Sequence, residues 1–147
     1  MKVLVEVQSS LTDATTEKFA GRFFHDKGNL FLSWVAPDEI SDLRQPNAPV
    51  TESTYTIEYT AARHLLTMRR EGVVTSNLSF IEGQKTKGVL STDQGDFEME
   101  IMTKKILIPG AIGPQAVLTY DILYPGQEPM ENVLRISLTI ANSTNSL

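Results

Sequence analysis

Apolar and polar residues alternate along most of this chain with a period of two. Val3, Val5 and Val7 share one face of an opening run that ends near Gln8, and Leu134, Ile136, Leu138 and Ile140 alternate with Arg135, Ser137 and Thr139 near the other end. Such alternation marks a strand with one buried face and one wet face. The same pattern predicts further strands over about 18–25, 30–35, 51–60, 65–70, 73–82, 85–92, 95–108, 115–124 and 132–141, most of them bounded by glycine- or proline-bearing turns. Asp26-Lys27-Gly28-Asn29 is the sharpest hairpin signal, because glycine accepts the positive φ that a tight turn demands.

The count is eight to ten strands joined mostly by short turns. An open sheet of that size leaves two edges free to pair with other chains, and closure into an antiparallel barrel removes them. A barrel of eight or more strands has an interior that side chains can just fill, or that can hold one small ligand. The expected fold is therefore all-β, a single barrel domain over residues 1–147. The pattern breaks between residues 36 and 50, where Pro37, Pro46 and Pro49 remove three backbone donors. That stretch is read as a loop at one rim, or as a short helix over Pro37–Leu43 with proline first and acids near its positive end. The Pro109–Pro114 run interrupts the later strands in the same way.

Composition narrows the function classes. The chain has 147 residues, 41% hydrophobic and 21% charged, enough for one core and far from the disordered class. It has no cysteine, which excludes disulfides, thiolate metal sites and cysteine nucleophiles. The opening segment meets Glu6 before an apolar signal core is complete, and no run approaches the roughly 20 apolar residues of a membrane helix. The expectation is a cytoplasmic protein that does not engage membranes. A net charge of −5 disfavours nucleic acid as a partner. Lys85, Lys87, Lys104, Lys105, Arg69 and Arg70 cluster in the central third, where they form either a basic patch or solvated strand faces opposite Glu82, Glu98 and Glu100.

The candidate chemistry is sparse. His25 and His64 are the only histidines, both expected at turns, and only Asp26 is close in sequence to either, so no metal, cofactor or histidine-based catalysis is expected. No nucleophile elbow, phosphate-binding glycine loop or His-Glu-x-x-His motif occurs, and enzymatic activity is unsupported. Glu98 and Glu100 share a strand face about 7 Å apart, a spacing open to paired carboxylates but equally that of an outer polar face. Arg70 shares parity with Leu66 and Met68 and so faces inward; a buried arginine requires an anion, supplied by a protein carboxylate or by a ligand's acid group. Tyr55 with Tyr59, and Tyr120 with Tyr124, share strand faces that line a cavity or fill a core.

The segments Arg70-Glu71-Gly72, Phe80-Ile81-Glu82-Gly83 and Thr92-Asp93-Gln94-Gly95-Asp96-Phe97-Glu98-Met99-Glu100-Ile101-Met102-Thr103-Lys104-Lys105, with the strands at Leu118–Ile122 and Asn132–Ile140, resemble the YwiB family of bacterial proteins, a domain of unknown function (DUF1934). The resemblance spans about residues 2–141. It departs from the family pattern at Leu90–Gly95, which lacks an aromatic and a proline frequent there, and over 36–50, which is longer. The resemblance implies a calycin-like barrel, similar to the lipocalins and fatty-acid-binding proteins, with no assigned activity.

The combined expectation is non-enzymatic binding of a small apolar or acidic amphipathic molecule inside the barrel. Phe97, Met99, Ile101, Tyr120 and Ile122, with Ile136 and Leu138, should enclose it, and Arg70 should stand near one end. The alternative is a filled barrel that meets protein or RNA through its outer surface.

Overall fold

The computed structural model describes residues 1–12, 16–38, 51–108 and 115–140. Ten antiparallel strands run in chain order around a closed barrel: β1 (Lys2–Ser9), β2 (Thr16–Asp26), β3 (Asn29–Pro37), β4 (Glu52–Thr60), β5 (Leu65–Glu71), β6 (Thr75–Ile81), β7 (Lys85–Thr92), β8 (Gly95–Leu107), β9 (Ala116–Leu123) and β10 (Met130–Ile140). Each strand pairs with its sequence neighbours, and β1 closes the ring on β10 from Val3 opposite Ile140 to Ser9 opposite Leu134. Closure leaves no free strand edge, as the strand count requires. Short 3₁₀ turns at Ser10–Thr12 and Ala61–Arg63 are the helical segments among the described residues, and neither is long enough to cross a membrane.

The alternation predicted from sequence sets which side chains enter the barrel. Val3, Val5, Phe23, Leu32, Trp34, Ala36, Ile57, Leu66, Phe80, Ile101, Leu118, Tyr120 and Leu134 are buried together as the core. Strand β2 enters the core at Phe19, Gly21 and Phe23. Gly21 must lack a side chain, because a Cβ there would lie 2.7 Å from both the Ser33 carbonyl oxygen and Val5 Cγ2. The β2–β3 hairpin forms where expected, with Asp26 opposite Asn29 and both intervening residues at positive φ, Lys27 at 51° and Gly28 at 85°. Two left-handed residues in a two-residue loop match the right-handed twist of the flanking strands.

The structure corrects two expectations. Pro37 does not open a helix; it is the last residue of β3 and lies opposite Glu52. The rest of the predicted Pro37–Leu43 helix, beyond Asp38, lies outside the described residues, as does Pro109–Pro114. Two of the central cations find partners other than those expected: Arg69 pairs with Glu58 at 2.7 Å, and Lys104 with Glu131 at 2.6 Å and Asp121 at 3.2 Å, whereas Lys87 on β7 does lie directly opposite Glu100 on β8. The cause in β8 is a bulge between Thr103 and Lys105, which turns Lys104 toward β9 and β10 on the outer face while Thr103 and Ile106 both stay inside.

Candidate functional site

The two ends of the barrel are unlike. The lower end carries Met1 and the β2–β3, β4–β5 and β6–β7 turns; the upper end carries the β1–β2, β3–β4, β5–β6, β7–β8 and β9–β10 connections. Along four strands the inward-facing residues pass from buried at lower or middle levels to partly exposed above. Leu66 is buried, Met68 above it partly exposed; Phe80 is fully buried, Leu78 partly exposed; Ile101 is fully buried, Met99 partly exposed, and Phe97 51% exposed; Leu118 and Tyr120 are buried, Ile122 partly exposed. On β3, β4 and β10 the order differs, with Trp34, Ala36, Ser53 and Asn132 buried toward the upper end. Lower down, Phe80 of β6 meets Tyr120 of β9 with ring centroids 4.9 Å apart, spanning two intervening strands and filling the barrel at that level.

Arg70 stands inside the upper mouth, as its parity predicted. Its Nη2 donates to Asp38 Oδ1 at 2.9 Å, its Nε donates to Ser53 Oγ at 3.4 Å, and its guanidinium carbon lies 5.6 Å from the Tyr55 ring centroid. The Arg70 and Asp38 side chains are 29% and 14% exposed. Tyr55 stacks on Trp34 at 5.4 Å and 8°, and Trp34 on Phe19 at 6.4 Å, so the cation caps an aromatic wall built by β2, β3 and β4. Asp38 is held firmly: Ser53 Oγ donates to Oδ1 at 2.6 Å, and Thr51 Oγ1 to Oδ2 at 2.7 Å. These hydroxyl donations, with Arg70 beside them, lower the Asp38 pKa below its ordinary value against a smaller opposing effect of burial. Of the two partners that the sequence left open for Arg70, a protein carboxylate takes the position.

A second polar group lies deeper. Asn132, on β10, is buried and donates through Nδ2 to the Tyr120 hydroxyl at 2.8 Å, while its Oδ1 accepts from Ser9 Oγ at 2.8 Å and Ser10 Oγ at 3.2 Å. Burial raises the pKa of the Tyr120 hydroxyl, which therefore stays protonated. Tyr120 lies opposite Thr103 on β8.

Of the expected interior residues, Ile101 and Tyr120 belong to the core and Ile122, Ile136 and Leu138 pack against it, whereas Met99 shares the parity of Ile101 but stays partly exposed beside a hollow on the outer wall. Phe97 stands at the rim, because β8 starts only two residues earlier. Tyr124 follows the end of β9 and is 37% exposed, so it does not extend the Tyr120 face. Glu98 and Glu100 lie on the outer wall beside this shallow hollow of about 300 Å³, which Lys87, Met99, Leu123, Tyr124 and Pro125 also line. His25 lies one residue before the β2–β3 turn, its ring 5.8 Å from that of Phe23, and His64 follows a 3₁₀ turn at φ 48°. No group of three metal-ligating side chains occurs among the described residues.

Sequence reasoning missed Asp38, Ser53, Thr103 and Asn132. Parity carried a signal for three of them: Ser53 shares the face of Ile57, Thr103 that of Ile101, and Asn132 that of Leu134, so each is a polar residue on an apolar face. Asp38 carried none, since it meets Arg70 only through strand register.

A family described as a domain of unknown function (DUF1934) matches residues 5–136. Among solved structures, that of the YwiB protein from Bacillus subtilis matches with a TM-score of 0.63 at 14% identity, covering 95% of this chain and 91% of that one. No curated protein matches the chain.

Proposed function

Because the chain belongs to the DUF1934 family, whose description leaves its activity open, we propose from the geometry that this protein is a non-enzymatic container for a small apolar or amphipathic molecule, taken through the upper mouth. The observation that carries this reading is the gradient of exposure along inward-facing β5, β6, β8 and β9. Met68, Leu78, Met99 and Ile122 are apolar, share the inward parity of β5, β6, β8 and β9, and keep surface that a ligand can cover. Covering apolar surface contributes about 25 cal/mol per Å², so displacing solvent from these groups favours an apolar occupant. The Phe19–Trp34–Tyr55 stack supplies a flat wall beside the same mouth. Asp38 already neutralises Arg70, which favours an uncharged ligand over the acidic amphiphile that a free arginine would select.

Titration with N-phenyl-1-naphthylamine, an uncharged dye that brightens in apolar surroundings, tests the reading. Saturable binding at one dye per chain, reversed by medium-length alkyl compounds, is the expected result. A protein that leaves the dye dark contradicts it.

A second reading, an interaction surface on the outer wall, draws on one observation. Phe24 is 54% exposed with its ring 6.1 Å from that of Phe31, and Val35, 48% exposed, lies on the same outer face of β3 beyond the Arg22–Ser33 pair. Apolar area of this kind on a wet face is a common mark of a protein contact.

A further inference from the structure

Thr103 is fully buried, and its Oγ1 has no hydrogen-bond partner among the described residues. Its backbone is fully occupied, with Gly83 N–H donating to its carbonyl at 2.8 Å and its own N–H donating to the Gln84 carbonyl at 3.3 Å, so the residue is pinned with its hydroxyl inside. A buried hydroxyl left without a partner is destabilising, and such a group in a folded protein calls for an occupant. Tyr120, directly opposite in register, has a matching surplus: its oxygen accepts from Asn132, and its own proton meets no acceptor among the described residues. Asn132 is saturated on its oxygen by Ser9 and Ser10 and fixes the phenol from behind. Two unspent hydroxyls therefore stand at neighbouring cross-strand positions of β8 and β9, within the closely packed level that includes Ile101 and Phe80 and one inward step below the partly exposed Ile122.

We propose that Thr103 and Tyr120 form a polar anchor for one uncharged oxygen, a hydroxyl or carbonyl, of an otherwise apolar ligand whose chain extends up toward the mouth. This inference rests on the container reading above and specifies the ligand's head group. Charge excludes a carboxylate at this depth. An anion buried here would need a cation, and the inward-facing arginine, Arg70, stands at the mouth bound to Asp38. A neutral oxygen can accept from the Tyr120 O–H and exchange a hydrogen bond with Thr103, satisfying both groups without importing charge.

The test displaces N-phenyl-1-naphthylamine from the full chain with 1-decanol and with decanoate at pH 8, in wild type, Thr103→Val and Tyr120→Phe. Thermal melting of the ligand-free proteins is measured alongside. The expected results are tighter binding of decanol than of decanoate to wild type, and decanol binding about tenfold weaker in each variant when measured relative to that variant's own dye affinity, as expected for loss of one hydrogen bond. Thr103→Val should also melt at or above the wild-type temperature without ligand, since it removes an uncompensated hydroxyl. Dye binding with equal decanol affinity in all three proteins would overturn the anchor, assign Thr103 to an ordered water only, and leave the container reading standing. Preference for decanoate would overturn the anchor as well. Absence of dye binding to a cooperatively melting wild type overturns both.

Discussion

Arg70 Nη2 lies 2.9 Å from Asp38 Oδ1 across the upper mouth of the barrel, joining the end of β5 to the end of β3 over 32 residues of sequence. The cation that parity sends into the barrel is thereby neutralised before any ligand arrives. Asp38→Asn keeps the shape but removes the charge, leaving Arg70 free to meet an acid group. The variant should bind a fluorescent fatty acid about tenfold more tightly than wild type at low salt, with the gain lost on raising salt. Lys85→Ala, at the start of β7 on the far side of the wall, should change nothing. Equal affinity of wild type and Asp38→Asn would show that Arg70 does not reach the ligand.

The same carboxylate makes stability depend on acid. Its pKa is depressed in the folded protein, chiefly by the hydroxyls of Ser53 and Thr51 and then by Arg70. Its contribution is therefore fully present above about pH 4, the range of an unfolded aspartate, and is lost as pH falls through the lower folded value. Melting curves from pH 6 down to pH 2 should show wild type losing more stability than Asp38→Asn. Parallel pH profiles would mean that Asp38 titrates alike in both states.

Gly21 is fixed by close approach. Gly21→Ala should destabilise the protein by about 1–3 kcal/mol in urea unfolding, because the new methyl meets the Ser33 carbonyl and Val5 Cγ2 at 2.7 Å, and the carbonyl cannot withdraw without opening the ladder while the branched, fully buried Val5 has little room to turn. A change within error would show that β2 shifts freely against β1 and β3.

Lys27 is strained by its φ of 51°. Lys27→Asn places Asn-Gly in the two-residue loop and should stabilise the hairpin by a fraction of the roughly 1–2 kcal/mol that the left-handed region costs an ordinary residue. An unchanged urea midpoint would indicate that the lysine makes a compensating contact in the turn.

The barrel was legible because its signals are local. Alternation placed all ten strands within a few residues and Arg70 inside, and Lys27-Gly28 announced its hairpin. The site was legible only in part, because its partners are brought together by register. Asp38 sat in a proline-broken stretch and looked like the start of a helix, whereas in the fold its backbone N–H donates to the Thr51 carbonyl at 2.9 Å and ends β3 beside β4. Thr103 was hidden by the bulge after it: Lys104 and Lys105 made the end of β8 look like a wet face, although Thr103 itself keeps the parity of Ile101. A polar residue on an apolar face reads as a lapse in the pattern until the neighbouring strands show Tyr120 and Asn132 in the same row.

The chain's five methionines allow the central claim, that the upper interior receives an apolar ligand, to be tested directly. Met68 packs against the core and Met99 has the parity of Ile101; Met102 faces outward on β8, and Met1 lies at the lower end. With methyl-13C-methionine protein, saturating N-phenyl-1-naphthylamine should shift the Met68 and Met99 methyl resonances and give ligand contacts to both, while Met1 and Met102 stay in place. Shifts that leave Met68 in place, or no shift at saturation, would put the ligand on the outer wall or nowhere and contradict the account.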